Sequence, residues 1–118
     1  MPVYTKRIYE LSRTEPGYRI LVDRIWPRGV KREDLKLDEW LKTVSPTNDL
    51  RNWFSHDVAK WQEFRERYKL ELANHADQLD RIRKLSKDSI ILLLYSTKDK
   101  LHNQAIVLKE IIEGHPES

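Results

Sequence analysis

Residues 89–96 read Ser89-Ile90-Ile91-Leu92-Leu93-Leu94-Tyr95-Ser96, and these six consecutive apolar or aromatic side chains between two serines decide the architecture. Successive side chains of a strand point to opposite faces, so a half-exposed strand alternates apolar with polar residues. A run with no polar member is covered on both faces, as in a parallel sheet with layers on either side. It is too short to span a bilayer. A second segment of this kind runs from Arg19 to Ile25, where Ile20-Leu21-Val22 is continuously apolar before charge returns at Asp23 and Arg24. A third, Val3 to Tyr9, alternates loosely and is rich in β-forming residues.

Between and after these strands the period becomes helical. Leu37, Trp40, Leu41 and Val44 fall at i, i+3, i+4 and i+7, which predicts a short helix ending before Pro46. Thr47-Asn48-Asp49 offers capping oxygens to a helical turn through Leu50 to Phe54. Ser55 or Asp57 can cap the longest helix, about Val58 to Asn74, along which Val58, Trp61, Phe64, Tyr68 and Leu72 line one side. Leu79, Ile82 and Leu85 mark a further helix. The last, about Asn103 to Glu113, buries Ala105, Leu108, Ile111 and Ile112 and meets Gly114. The expectation is a single α/β domain over residues 1–118: a small, mostly parallel β-sheet flanked by helices. The link between the first two strands is too short for a full crossover helix, which leaves a hairpin open as an alternative there.

The 118 residues contain no cysteine. That excludes a disulfide framework, a thiolate nucleophile, a cysteinyl zinc site and an iron–sulfur cluster. The first residues do not read as a signal peptide, and the expected location is the cytoplasm. The formal net charge of +3 is unevenly spread. Residues 1–32 carry eight Lys or Arg against three acids, whereas the rest carries 14 bases against 16 acids. Such an excess attracts phosphate, carboxylate or a nucleic-acid backbone.

In open α/β sheets ligands bind beyond the carboxyl ends of the strands, where loops and helix starts converge. The second strand delivers Asp23, Arg24, Trp26, Arg28 and Gly29 to such a position. The last strand delivers Tyr95, Ser96, Lys98 and Asp99, followed by His102 and Asn103 at a helix start. If these strands run parallel and adjacent, the polar groups face one crevice suited to an anion. There Arg24, Arg28 and Lys98 would supply charge-assisted hydrogen bonds, and Trp26 would stack on the ligand or cover it. The competing structural reading has Asp23 and Arg24 pairing with Lys98 and Asp99 to staple the strand ends, with Trp26 in the core. Neither a phosphate-binding P-loop nor a dinucleotide glycine pattern occurs. His56-Asp57 reads as a general base with an orienting acid or, more simply, as a helix cap in its entry loop. His75 and His115 read as solvated, and Arg65, Arg67, Arg81 and Arg83 as solvated helix faces. Ser12, Ser55 and Ser96 lack the context of a hydrolase nucleophile, and Trp61, Phe64 and Tyr68 read as core.

Three segments together resemble the short form of the DUF 488 family. They are Val22-Asp23-Arg24-Ile25-Trp26-Pro27-Arg28-Gly29, Leu50-Arg51-Asn52-Trp53-Phe54-Ser55-His56-Asp57, and Leu93-Leu94-Tyr95-Ser96-Thr97-Lys98-Asp99 with His102-Asn103-Gln104-Ala105. Their order and spacing cover nearly the whole chain. The long form of that family is similar at corresponding places, with an Asp-x-Arg after its second strand and a Cys-His-Arg after its last. This chain lacks that cysteine and has His102-Asn103 near the position. The resemblance implies a bacterial or archaeal, cytoplasmic, single-domain α/β protein and names no substrate.

The functional expectation is therefore a protein that binds, or binds and acts on, a small phosphate- or carboxylate-bearing ligand. Asp23, Asp99 and His56 are the candidate catalytic groups. Arg24, Trp26, Arg28, Gly29, Tyr95, Lys98 and Asn103 are the candidate ligand contacts. No metal set is expected and the cofactor is unknown. Two alternatives are a non-enzymatic nucleic-acid-binding module, which would bind through the basic first quarter, and a protein-interaction domain. No membrane partner is expected.

Overall fold

A computed structural model describes residues 3–12 and 14–114. Four strands form one sheet: β1 (Val3–Arg7), β2 (Tyr18–Leu21), β3 (Glu39–Trp40) and β4 (Ile91–Tyr95), in the order β1-β4-β2-β3, every neighbour parallel. The helices are α1 (Arg32–Leu35), α2 (Asn48–Phe54), α3 (Trp61–Leu72), α4 (Ala76–Leu85) and α5 (Gln104–Glu113).

The continuous apolar runs have the cause expected of them. On β4, Ile91, Leu93 and Tyr95 join the larger core with Tyr68, Ile82 and Leu108, while Leu92 and Leu94 point to a smaller cluster on the other face with Ile8 and Leu35. On β2, Ile20 faces the larger core and Leu21 the smaller. Both strands thus bury two faces; Tyr18, at the start of β2, is the one member left partly exposed. Gly17, just before β2, has φ +140°, and a Cβ there would stand 2.9 Å from the Leu92 side chain; only glycine lets the chain enter so close to β4.

The structure corrects several expectations. β1 and β2 are not a hairpin: β4 lies between them and pairs with both. The first strand ends at Arg7, and Ile8–Glu10 form a tight 3₁₀ turn. β2 begins at Tyr18 and stops at Leu21 rather than Ile25, although the Val22 N–H still donates to the Leu94 carbonyl at 3.0 Å. The helix expected over Leu37 to Val44 is absent. Glu39–Trp40 pair with β2, and Lys42–Val44 make a 3₁₀ turn. The apolar stripe is divided, because Leu37 and Trp40 pack on the smaller cluster whereas Leu41 and Val44 pack on the larger. A helix would have put all four on one face.

The helix expected over Val58 to Asn74 opens with a 3₁₀ turn, Val58–Lys60, and is regular only over α3. Its cap is Asp57, whose carboxylate accepts the Ala59 N–H at 3.0 Å. Thr47 caps α2 and Asn103 caps α5, accepting from Leu50 and Ile106. Phe64 and Tyr68 are core, with Trp61 packed against it. Arg65, Arg67, Arg81 and Arg83 all form ion pairs with carboxylates. His75 is half-buried, and His115 lies outside the described residues. Among the described residues, no helix is long and apolar enough to cross a membrane.

Candidate functional site

Because β2 and β4 are adjacent and parallel, their carboxyl ends open on the same edge of the sheet. A cleft of about 550 Å³ lies there, within the range of small-molecule sites. Its wall includes Asp23, Arg24, Trp26, Arg28, His56 and Asn103 from the sequence expectation. Gly29, Tyr95, Lys98 and Asp99 lie outside it. Tyr95 is a core residue, 2% exposed, and burial pushes its phenol up. Gly29 is exposed with φ +76°, a left-handed turn residue in the loop after β2. Lys98 is exposed.

Asp23 is the centre of the deep end. It is 7% exposed and continues the line of β2 toward α5. The Ser96 hydroxyl donates to its Oδ2 at 2.5 Å and Gln104 Nε2 donates to its Oδ1 at 2.6 Å. Burial raises its pKa, and the hydrogen bonds from Ser96 and Gln104 and the charge of Arg51 only partly oppose this. No cation lies within ion-pair distance of it among the described residues.

The pairing of Asp23 and Arg24 with Lys98 and Asp99 does not form. Arg24 instead donates to the Pro46 and Ser45 carbonyls at 3.0 and 3.2 Å, tying the end of β2 to the loop before α2. Arg7 does the same for the loop after β4, donating through Nε to the Ser96 and Thr97 carbonyls. Asp99 accepts the Leu101 and His102 N–H groups, both at 3.0 Å, and meets His102 Nδ1 at 3.0 Å. Desolvation pushes the Asp99 carboxyl up, but these donors outweigh it and hold it below the ordinary aspartate range.

Trp26 answers to both sequence readings. It borders the cleft, yet its indole N–H donates to the Val30 carbonyl at 2.7 Å, its ring stands edge-on to Trp40 at 5.2 Å, and it packs on the smaller core cluster. Asn103 lines the cleft as a cap: Oδ1 accepts from Ile106 and Nδ2 donates to the Asp99 carbonyl at 2.9 Å.

Among the wall residues that sequence reading missed are Arg51, Asn52 and Gln104, and it underrated His102. Arg51 and Asn52 ride on α2, which packs against α3 with Phe54 stacked on Phe64 at 4.4 Å. That docking carries them to the strand ends. His102 stands edge-on to Trp61 at 5.2 Å, and the Asp99/His102 spacing of three at a helix start was its signal. At the rim, Ser55 and His56 both have positive φ, 45° and 59°. Consecutive left-handed residues other than glycine are costly, at about 1–2 kcal/mol each, and functional sites are where such outliers cluster. Among the described residues, no three His, Asp or Glu side chains gather as metal ligands.

Among the described residues, the guanidiniums of Arg24, Arg28 and Arg51 thus border a cleft whose wall contains one carboxylate. The DUF488 model for the inactive N3 subclade matches residues 2–118. The chain belongs to the DUF488 family. It is similar to the uncharacterised protein YeaO of Escherichia coli, 44% identical over 110 residues that cover 93% of this chain and 96% of that protein. It is also similar to the uncharacterised proteins Mb3100c of Mycobacterium bovis and Rv3073c of Mycobacterium tuberculosis. Each is 36% identical over 112 residues, covering 95% of this chain and 94% of theirs. No solved structure matches it.

Proposed function

We propose that this DUF488 protein binds a small phosphate- or carboxylate-bearing ligand in the cleft at the ends of β2 and β4. The observation that carries this reading is the charge balance of the wall: Arg24, Arg28 and Arg51 against Asp23 alone, with Asp23 desolvated and already hydrogen-bonded to Ser96 and Gln104. A concave site of that sign concentrates anions. Arg28 and Arg51 are the contacts, since Arg24 is occupied by backbone carbonyls.

Binding without turnover is favoured over catalysis. The matched subclade is described as inactive, and both carboxylates assigned to proton transfer, Asp23 and Asp99, are held by donors of the protein itself. The working location remains the cytoplasm. The nucleic-acid reading is weaker, because much of the basic excess in the first quarter turns inward. Arg7, Arg19 and Arg24 donate to backbone carbonyls, and Lys6 pairs with Glu15 at 3.4 Å.

Thermal denaturation in the presence of inorganic phosphate, citrate and acetate tests the proposal. An anion at a hundredfold its Kd stabilises the fold by about 2.7 kcal/mol. Arg28→Ala or Arg51→Ala is expected to weaken the responding anion about tenfold, the value of one charge-assisted hydrogen bond. A flat response to all three anions, unchanged in Arg28→Ala, overturns it.

A further inference from the structure

The cleft has two chemically different ends. One end of its wall holds buried Asp23 with half-buried Ser96 and Gln104 hydrogen-bonded to it. Its rim holds exposed Arg28, Asn52 and His56, with Arg51 half-buried. Anion recognition accounts for the rim but not for the inner end, where an anion would face a buried carboxylate.

The inner end presents acceptors: each Asp23 oxygen already takes one side-chain donor of the protein, and the charge of the carboxylate has no cation in ion-pair range among the described residues. A carboxylate offers about four lone-pair sites. Asp23 receives the Ser96 hydroxyl, the Gln104 amide and a Ser96 backbone hydrogen bond, with no cation in ion-pair range among the described residues. The amide nitrogen of Gln104 is occupied by Asp23 and by the Val22 carbonyl at 3.5 Å, which leaves its Oε1 as the free half of the amide. The Ser96 hydroxyl gives its proton to Asp23 and keeps its own lone pairs. A ligand group that reaches this end meets acceptor lone pairs beyond those already used, and so must bring donors. Neutral hydroxyls suit it better than an ammonium, whose own desolvation would add to that of Asp23.

We infer that the ligand is a phosphate monoester of a polyhydroxy compound, of the sugar phosphate class. Its hydroxyls donate to Asp23, Ser96 and Gln104, and its phosphate lies at the rim against Arg28 and Arg51. A phosphate monoester carries nearly two charges at neutral pH, which matches two guanidiniums on one wall better than a carboxylate does. The volume of about 550 Å³ accommodates a molecule of that size. This assignment rests on the anion-binding reading above and adds the orientation and the hydroxyl requirement.

Isothermal titration at pH 7.5 with ribose 5-phosphate, phenyl phosphate, inorganic phosphate and ribose separates the two ideas. Ribose 5-phosphate is expected to bind at least tenfold tighter than phenyl phosphate or inorganic phosphate, with ribose alone too weak to measure. In Asp23→Asn, which keeps the shape of the side chain, and independently in Ser96→Ala, the ratio between ribose 5-phosphate and inorganic phosphate is expected to fall toward one. Uridine 5′-monophosphate distinguishes a nucleotide from a free sugar phosphate: tighter binding than ribose 5-phosphate identifies a nucleotide, weaker binding a free sugar phosphate, and either order upholds the assignment. If the three phosphates bind equally, the hydroxyl requirement is wrong while anion binding stands. If none of them binds, both readings fall. If ribose binds as tightly as ribose 5-phosphate, the rim is not the phosphate site.

Discussion

Two carboxylates stand toward opposite ends of one sheet and are treated differently. Near the entry of β2 and β3, Glu39 accepts from both terminal nitrogens of Arg81, at 2.6 and 2.7 Å, and from the Tyr18 hydroxyl at 2.6 Å. The Arg81 hydrogen bonds in particular hold its carboxyl below the ordinary glutamate range. Beside it Arg19, 5% exposed, donates to the Leu35, Ser12 and Glu15 carbonyls at 2.9–3.0 Å. At the exit of β2, Asp23 is more deeply buried, has no cation in ion-pair range among the described residues, and is shifted upward by that burial. The entry carboxylate is paired with a cation and the exit carboxylate is not. Polar groups that build a fold satisfy one another, whereas groups that await a ligand keep spare capacity and lower the stability of the free protein.

The entry end is where substitution is expected to cost most. Arg19→Met removes donors from three carbonyls in a buried setting, and urea denaturation is expected to show a loss of about 3 kcal/mol. A loss below about 1 kcal/mol would mean that water reaches those carbonyls and that the contrast between the ends is overstated. Arg81→Met, at a more exposed pair, is expected to cost about 0.5 kcal/mol at neutral pH. Its signature is in the pH profile. A carboxyl whose folded pKa is depressed stabilises the fold above its ordinary pKa, and that contribution is lost as pH falls through the depressed value. The variant is expected to lack this acid limb.

Asp23→Asn sharpens the comparison with the smallest effect and the opposite sign. An acid whose folded pKa is raised binds its proton more tightly in the native state, so stability falls as pH climbs from the ordinary aspartate pKa to the raised one. Wild-type stability is expected to decline across that window while Asp23→Asn stays level, the Asn oxygen still accepting from Gln104. Parallel profiles for the two proteins would show that Asp23 is no less satisfied than Glu39.

Sequence patterns disclosed the two buried strands, since Ile20-Leu21-Val22 and Ile91 to Tyr95 carry their two-sided burial in their composition. They made the meeting of the loops after these strands conditional on the two lying parallel and side by side, a pairing that β2 and β4 do form. Trp40 shows the limit. Its spacing from Leu37, Leu41 and Val44 fits a helix, and only the three-dimensional division of these residues between two clusters reveals an edge strand. The insertion of β4 between β1 and β2 was equally hidden, being a pairing across more than seventy residues with no local signal. Arg51 entered the wall through the docking of α2 on α3, a packing event rather than a motif. The basic first quarter misled in the other direction: charge counts do not tell a guanidinium facing water from one bonded to a carbonyl, and Arg7, Arg19 and Arg24 are of the second kind.

The place of β4 in the sheet also governs how the molecule comes into being. β1 has β4 as its one neighbour in the sheet, and β2 has only the two-residue β3 besides. While the chain is being made, β2 waits with bare apolar faces, and both strands with open edges, until Tyr95 has left the ribosome. Distant pairing of this kind is slow and exposes the nascent chain to aggregation. Assembly therefore centres on one late event, the threading of β4 between two strands made long before it, and the same event brings Ser96 to Asp23 and creates the cleft.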